Sequence, residues 1–103
     1  MAKEYLMDAT EMEPPEPLIR TLEMLNDLKQ GDYLRFLHRR EPLPLYDNLN
    51  QAGFSYITCA DSDVAFEVFI WNQDDVEAQS AIQSQIQSAN LNIHFSSISR
   101  ISS

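Results

Sequence analysis

Two carboxylates, Glu13 and Glu16, interleave with three prolines, Pro14, Pro15 and Pro17, in the run Glu-Pro-Pro-Glu-Pro. A second run, His38, Arg39, Arg40, Glu41 and Pro42, again sets an acid beside a proline and adds an imidazole and two guanidinium groups. Carboxylates and imidazoles suit zinc, iron or manganese, and they are competent proton carriers. A metal site built on Glu13, Glu16, His38 and Glu41 would have one histidine and no short His-x-x-His spacing. The electrostatic reading of the same residues is simpler. Glu13 and Glu16 stand near a helix start, where each negative charge is favoured by about 0.3–1 kcal/mol. Arg39 and Arg40 can pair with them. Cys59 is the one thiol, and it falls late in an apolar strand pattern, which reads as a structural position. No Ser-His-Asp or Cys-His arrangement is readable, and Gly31 and Gly53 alone cannot make a phosphate-cradling loop. Neither enzymatic activity nor a bound cofactor is expected.

The elements that would position these residues follow from periodicity. Residues 4–9 alternate as a short strand, with Tyr5 and Met7 on one side. Leu18, Leu22, Leu25 and Leu28 then recur at helical spacing, with Pro17 in the first turn, Lys29 in the last and Gly31 as the stop. Tyr33 to His38 is a second strand, with Leu34, Phe36 and His38 on one face and Tyr33, Arg35 and Leu37 on the other. Pro42 and Pro44 break it. A short helix is predicted from Leu43 to Gln51, with Gly53 beyond its end. "FSYITCA" and "VAFEVFIW" form two more strands, joined through Asp61, Ser62 and Asp63 as an antiparallel hairpin. The order β-α-β-α-β-β predicts a two-layer α/β sandwich on a mixed four-stranded sheet. A right-handed first crossover makes strands one and two parallel, so both charged runs emerge at the same end of the sheet.

That order carries a resemblance. "MDATEMEPPEP" resembles the opening signature of the SirA/TusA-like sulfur carriers, Leu-Asp-x-x-Gly-x-x-Cys-Pro-x-Pro, with Asp8, Pro15 and Pro17 at the matching positions. The Gly31-Asp32 pair before strand two and the proline-bearing turn after it agree as well. The resemblance covers residues 4–71 and implies the same sandwich. The family's glycine falls at Glu11 and its sulfur-carrying cysteine at Pro14, which has no thiol. The chain is closer to a related bacterial branch of unknown function that keeps Pro-Pro-x-Pro. The implied function is a binding or adaptor module that has lost the carrier cysteine. Its binding end comprises Glu13, Pro14, Pro15, Glu16, Pro17, His38, Arg39, Arg40, Glu41 and Pro42. The alternatives are sulfur relay through Cys59 or a partner's cysteine, and metal binding through the two runs.

Composition narrows the partners. The 103 residues fit one modest core, and 16 acids against 7 bases give a formal charge of −9. Nucleic acid and anionic membrane both call for concentrated positive charge, so neither is expected, despite Arg35, Arg39 and Arg40 lying near Tyr33 and Phe36. A single cysteine, no signal-peptide pattern and no run of about 18 apolar residues place the chain in the cytoplasm. Residues 72–103 form a separate extension after the 1–71 domain, half of them Ser, Gln or Asn. Ala78, Ile82, Ile86 and Ala89 make a helical stripe from about Asp74, and Leu91, Ile93 and Phe95 alternate as a further strand. A two-layer sandwich leaves one sheet face bare, and strand four is apolar on both faces. The extension or a second subunit should cover it, so a protein partner or a homodimer is expected.

Overall fold

The computed structural model describes residues 3–10, 16–61, 65–89 and 92–93; Glu16, Pro17, Ala60, Asp61, Ala65, Ala89, Asn92 and Ile93 are described by backbone only. The order is β1 (Glu4–Asp8), α1 (Glu16–Leu25), β2 (Tyr33–His38), α2 (Leu43–Ala52), β3 (Phe54–Asp61), β4 (Ala65–Asn72), α3 (Val76–Ala89) and β5 (Asn92–Ile93). The sheet runs β1-β2-β4-β3-β5. β1 and β2 are parallel, and the other three pairings are antiparallel. The α/β sandwich on a mixed sheet is therefore as expected, with the two-residue β5 added as a fifth strand at the outer edge of β3. Asp61 pairs with Ala65, so it closes β3 and does not belong to the turn. The remaining turn residues, 62–64, lie outside the described part, as do Leu91 and Phe95. Among the described residues no helix is long and apolar enough to cross a membrane.

Pleat alternation sorts the core into two clusters, one on each sheet face. Met7, Leu34, Phe36, Tyr56, Val68 and Ile70 pack with Leu25 of α1 and with Leu45, Tyr46 and Leu49 of α2. Tyr33, Ile57, Cys59, Phe69 and Trp71 pack with Ala78, Ile82 and Ile86 of α3. The bare face of the two-layer unit is thus covered by the chain's own third helix. Trp71 fills this second cluster, although its Nε1 has no hydrogen-bond partner among the described residues.

Each helix end has a local cause. α1 stops at Leu25, short of the expected Lys29. Asp27 N–H and Leu28 N–H bond to Met24 and Leu25 carbonyls three residues back, which tightens the chain into a turn. Asn26 and Asp27 are poor helix formers, which favours an early stop. α2 ends on Gly53, whose left-handed φ of 83° is strained for residues with a Cβ. α3 is capped by Asp75. One carboxylate oxygen accepts from Ala78 N–H at 3.0 Å, and the other accepts from Gly31 N–H at 2.7 Å. That second bond ties the turn before β2 to the start of α3. Gly31 has φ of 89°, and a Cβ there would lie 2.6 Å from Glu77 Oε2.

Ile82 is fully buried between α3 and the sheet. Ile82→Ala should cost about 2–5 kcal/mol, because it removes buried methylenes and leaves a cavity. Urea unfolding checks this, and a loss below the scatter of surface substitutions would mean that α3 is not part of the cooperative unit.

Candidate functional site

The parallel register sets Asp8 of β1 beside Leu37 of β2, so the two strands end together. Beyond β1, Ala9 N–H donates to Leu37 O at 2.8 Å, holding the chain on the sheet for one more residue. The Asp8 carboxylate then accepts from the Thr10 hydroxyl at 2.6 Å and from Thr10 N–H at 3.1 Å. Those two bonds hold its pKa below the ordinary value, the hydroxyl contributing most. Glu13, Pro14 and Pro15 lie outside the described residues, and the side chains of Glu16 and Pro17 are likewise undescribed.

Beyond β2 the second run is built firmly. His38 stacks over Phe36, with ring centroids 5.9 Å apart and planes at 11°. Its Nδ1 lies 3.1 Å from both the N–H and the carbonyl oxygen of Arg40. The first partner suits Nδ1 as an acceptor and the second suits it as a donor, so either ring tautomer ties the imidazole to Arg40. Glu41 points elsewhere and accepts from Tyr46 Oη at 3.3 Å. Tyr46 Oη also lies 2.6 Å from the buried Thr58 Oγ1, and its ring stacks on Tyr56 with centroids 4.4 Å apart. His38 and Glu41 are therefore occupied by different partners, although they are close in sequence. Among the described residues no three His, Cys, Asp or Glu side chains form a metal-binding group. Arg39 and Arg40 are exposed, and neither guanidinium makes an ion pair with a described residue. Leu43, at the start of α2 and three residues after Arg40, is 60% exposed. Its size and its position between Pro42 and Pro44 were visible in the sequence, but its exposure was not.

The one thiol sits in a different setting. Cys59 is 0% exposed, inside the cluster under α3. Burial, assisted by the nearby Glu67 carboxylate, pushes its pKa up to about 11. A protonated, enclosed thiol is a poor nucleophile. Glu67 itself is buried, which sequence reading missed. Its Oε2 accepts from Arg35 Nε at 3.0 Å and Nη2 at 2.8 Å. Arg35 also lies over the Phe69 ring at 5.8 Å and reaches Glu4 at 4.0 Å. Glu4 in turn accepts from Tyr33 Oη at 3.1 Å. Burial, with the adjacent Glu4 charge, lifts the Tyr33 phenol to about 12.

A family model described as an uncharacterised conserved protein, DUF2249, matches residues 6–72. The chain belongs to the DUF2249 family. No curated protein and no solved structure matches it. The DUF2249 match begins within β1 and ends on Asn72, the last residue of β4, so it takes in the end of β1 and all of α1, β2, α2, β3 and β4. Asp8, the His38–Pro42 run and Cys59 all fall within the DUF2249 region, whereas α3 follows it.

Two measurements test this account. Arg35→Met strands the Glu67 carboxylate in the core and should cost about 3–5 kcal/mol, whereas adding Glu67→Leu should recover most of the loss. Equal urea midpoints for the single and double variants would contradict it. The second concerns alkali. Cys59 and Tyr33 bind their protons more tightly when folded, so the unfolded chain releases them first. Stability is then full below pH 9.0, the ordinary thiol value, and falls as pH rises through about 11 and about 12. Denaturation at a series of pH values should show that decline, and a Cys59→Ala variant should show less of it.

Proposed function

We propose that this chain is a non-enzymatic binding or adaptor module on a SirA/TusA-like scaffold, with Pro14 at the position of the family's carrier cysteine. It engages a protein partner through the end of the sheet where β1 and β2 finish. The observation that carries this is Leu43. A large apolar side chain stands 60% exposed within four residues, along the chain, of two exposed arginines, Arg39 and Arg40. An apolar anchor with neighbouring guanidinium groups is a common composition for the energetic centre of an interface. The turn that carries it is held at His38 and again through Glu41, Tyr46 and Thr58, so little conformational freedom would be lost on docking. Glu13, Pro14, Pro15, Glu16 and Pro17 follow β1 in the sequence, and the proposal assigns them to the same binding end. Pro42 shapes the near side. The partner surface would be acidic around an apolar pocket, since two cations must be matched. Sulfur relay through Cys59 is disfavoured by the burial of the thiol.

Affinity capture from native lysate tests the reading, using the wild-type chain, Arg39→Glu/Arg40→Glu and Leu43→Lys. A protein held by wild type should be lost from both variants, each with an unchanged unfolding midpoint. Identical captured sets would overturn the proposal. So would stoichiometric persulfide on Cys59 after incubation with a cysteine desulfurase and labelled cysteine.

A further inference from the structure

A second surface lies along the flank of the sheet. β1 is the terminal strand in the order β1-β2-β4-β3-β5, and no described strand pairs its outer side. Its backbone polarity follows from two bonds. Tyr33 N–H donates to Lys3 O at 3.0 Å, and Ala9 N–H donates to Leu37 O at 2.8 Å. Residues 3 and 9 therefore direct their backbone groups toward β2, and by alternation so do 5 and 7. Glu4, Leu6 and Asp8 point their N–H and C=O groups outward. Such a row is a ready template for another strand.

Beside this row runs a groove of about 390 Å³ between β1 and α1. Leu6, Met7 and Asp8 form one wall. Arg20, Glu23 and Met24 of α1 form the other, at the i, i+3, i+4 spacing of one helix face, and Asp27 in the turn just after the helix extends it. Leu6 is 56% exposed. The lining therefore offers an apolar contact at Met24 on the α1 side and another at Leu6 on the opposite face of β1, with three carboxylates against one guanidinium.

We propose that this groove accepts an extended, basic segment of a partner protein, which adds to β1 as an extra strand. Backbone hydrogen bonds to Leu6 would give the alignment, and alternate side chains would be read on the two faces. On the face of Leu6, an apolar residue would meet Leu6, flanked two residues away on each side by cations opposite Glu4 and Asp8. On the face of α1, a cation or flexible aliphatic residue would meet Met24, Glu23 and Asp27. A second copy fits poorly. The two-fold antiparallel register that pairs the whole strand is centred on Leu6, and it sets Glu4 against Asp8 of the other copy twice. Like charges directly opposite one another are destabilising, and each chain already carries −9. The acids at the two ends of β1 thus act as a charge filter on an otherwise receptive edge. This proposal concerns a different surface from the Leu43 end and stands apart from that reading.

The test is fluorescence anisotropy of a labelled peptide, Ser-Arg-Val-Leu-Lys-Arg-Ser, against the same peptide with Glu at its three basic positions. The basic peptide should bind saturably, weaken with added salt, and exceed the acidic one by about tenfold or more. Glu23→Lys/Asp27→Lys should lose about tenfold in affinity with its urea midpoint unchanged. Leu6→Pro removes one outward N–H, a position at which edge strands tolerate proline, and should also abolish binding. Arg39→Glu/Arg40→Glu should leave peptide binding intact, which separates this result from the fate of the Leu43 reading. Absence of saturable binding, equal binding of the two peptides, or full affinity in Glu23→Lys/Asp27→Lys would overturn the proposal. A concentration-dependent dimer that the basic peptide cannot dissociate would assign the edge to a second copy and would overturn it as well.

Discussion

β4 has no polar face, and most of the architecture answers that constraint. Val68 and Ile70 point to one side of the sheet, Phe69 and Trp71 to the other, and all four are fully buried. A strand of this kind must lie inside the sheet and be covered twice. It pairs with β2 and β3, one on each edge, and it receives α1 and α2 on one face and α3 on the other. Glu67 is the exception within the strand. A carboxylate at that depth is tolerated because Arg35, one strand away, places two donors on a single oxygen and spreads its charge over the Phe69 ring. The charged pair thus limits which cross-strand register of β2 and β4 is acceptable, since a one-residue slip would leave the acid without its partner.

Much of this was legible from local pattern. The parallel β1–β2 pair followed from the handedness of one crossover, the β3–β4 hairpin from a polar turn, and the end of α2 from Gly53. The stripe of Ala78, Ile82 and Ile86 located α3 to within two residues of its observed start. The misses have a common origin. α1 ends early because Asn26 and Asp27 outweigh the leucine periodicity, which continues to Leu28 without the helix. Arg35 and Glu67 are 32 residues apart, and their union depends on the β2–β4 register, which no local window contains. The groove beside β1 likewise depends on how α1 overhangs the strand.

The candidate sites divide in the same way. His38, Arg39, Arg40 and Glu41 stood out by residue type, and the structure shows that neighbours in sequence have separate tasks. His38 and Glu41 hold the turn, whereas the two arginines are presented outward. Leu43 gained its interest only from exposure, and Leu6 only from its place on an outer strand. Cys59 moved in the other direction: a reactive residue by type, it is enclosed and protonated in the fold, in accord with its position late in an apolar strand.

The lateness of α3 in the chain has a consequence for synthesis. All four long strands are complete at Asn72, yet the helix that covers Tyr33, Ile57, Phe69 and Trp71 does not reach Ile86 until fourteen residues later. At about 5–20 residues per second, synthesis takes about one to three seconds to pass from the end of β4 to Ile86. An assembled sheet that lacked α3 would show a broad aromatic and aliphatic face to whatever is nearby. A chain interrupted between β4 and α3 would therefore be adhesive, and a chaperone that recognises exposed aromatic surface would meet it in that form.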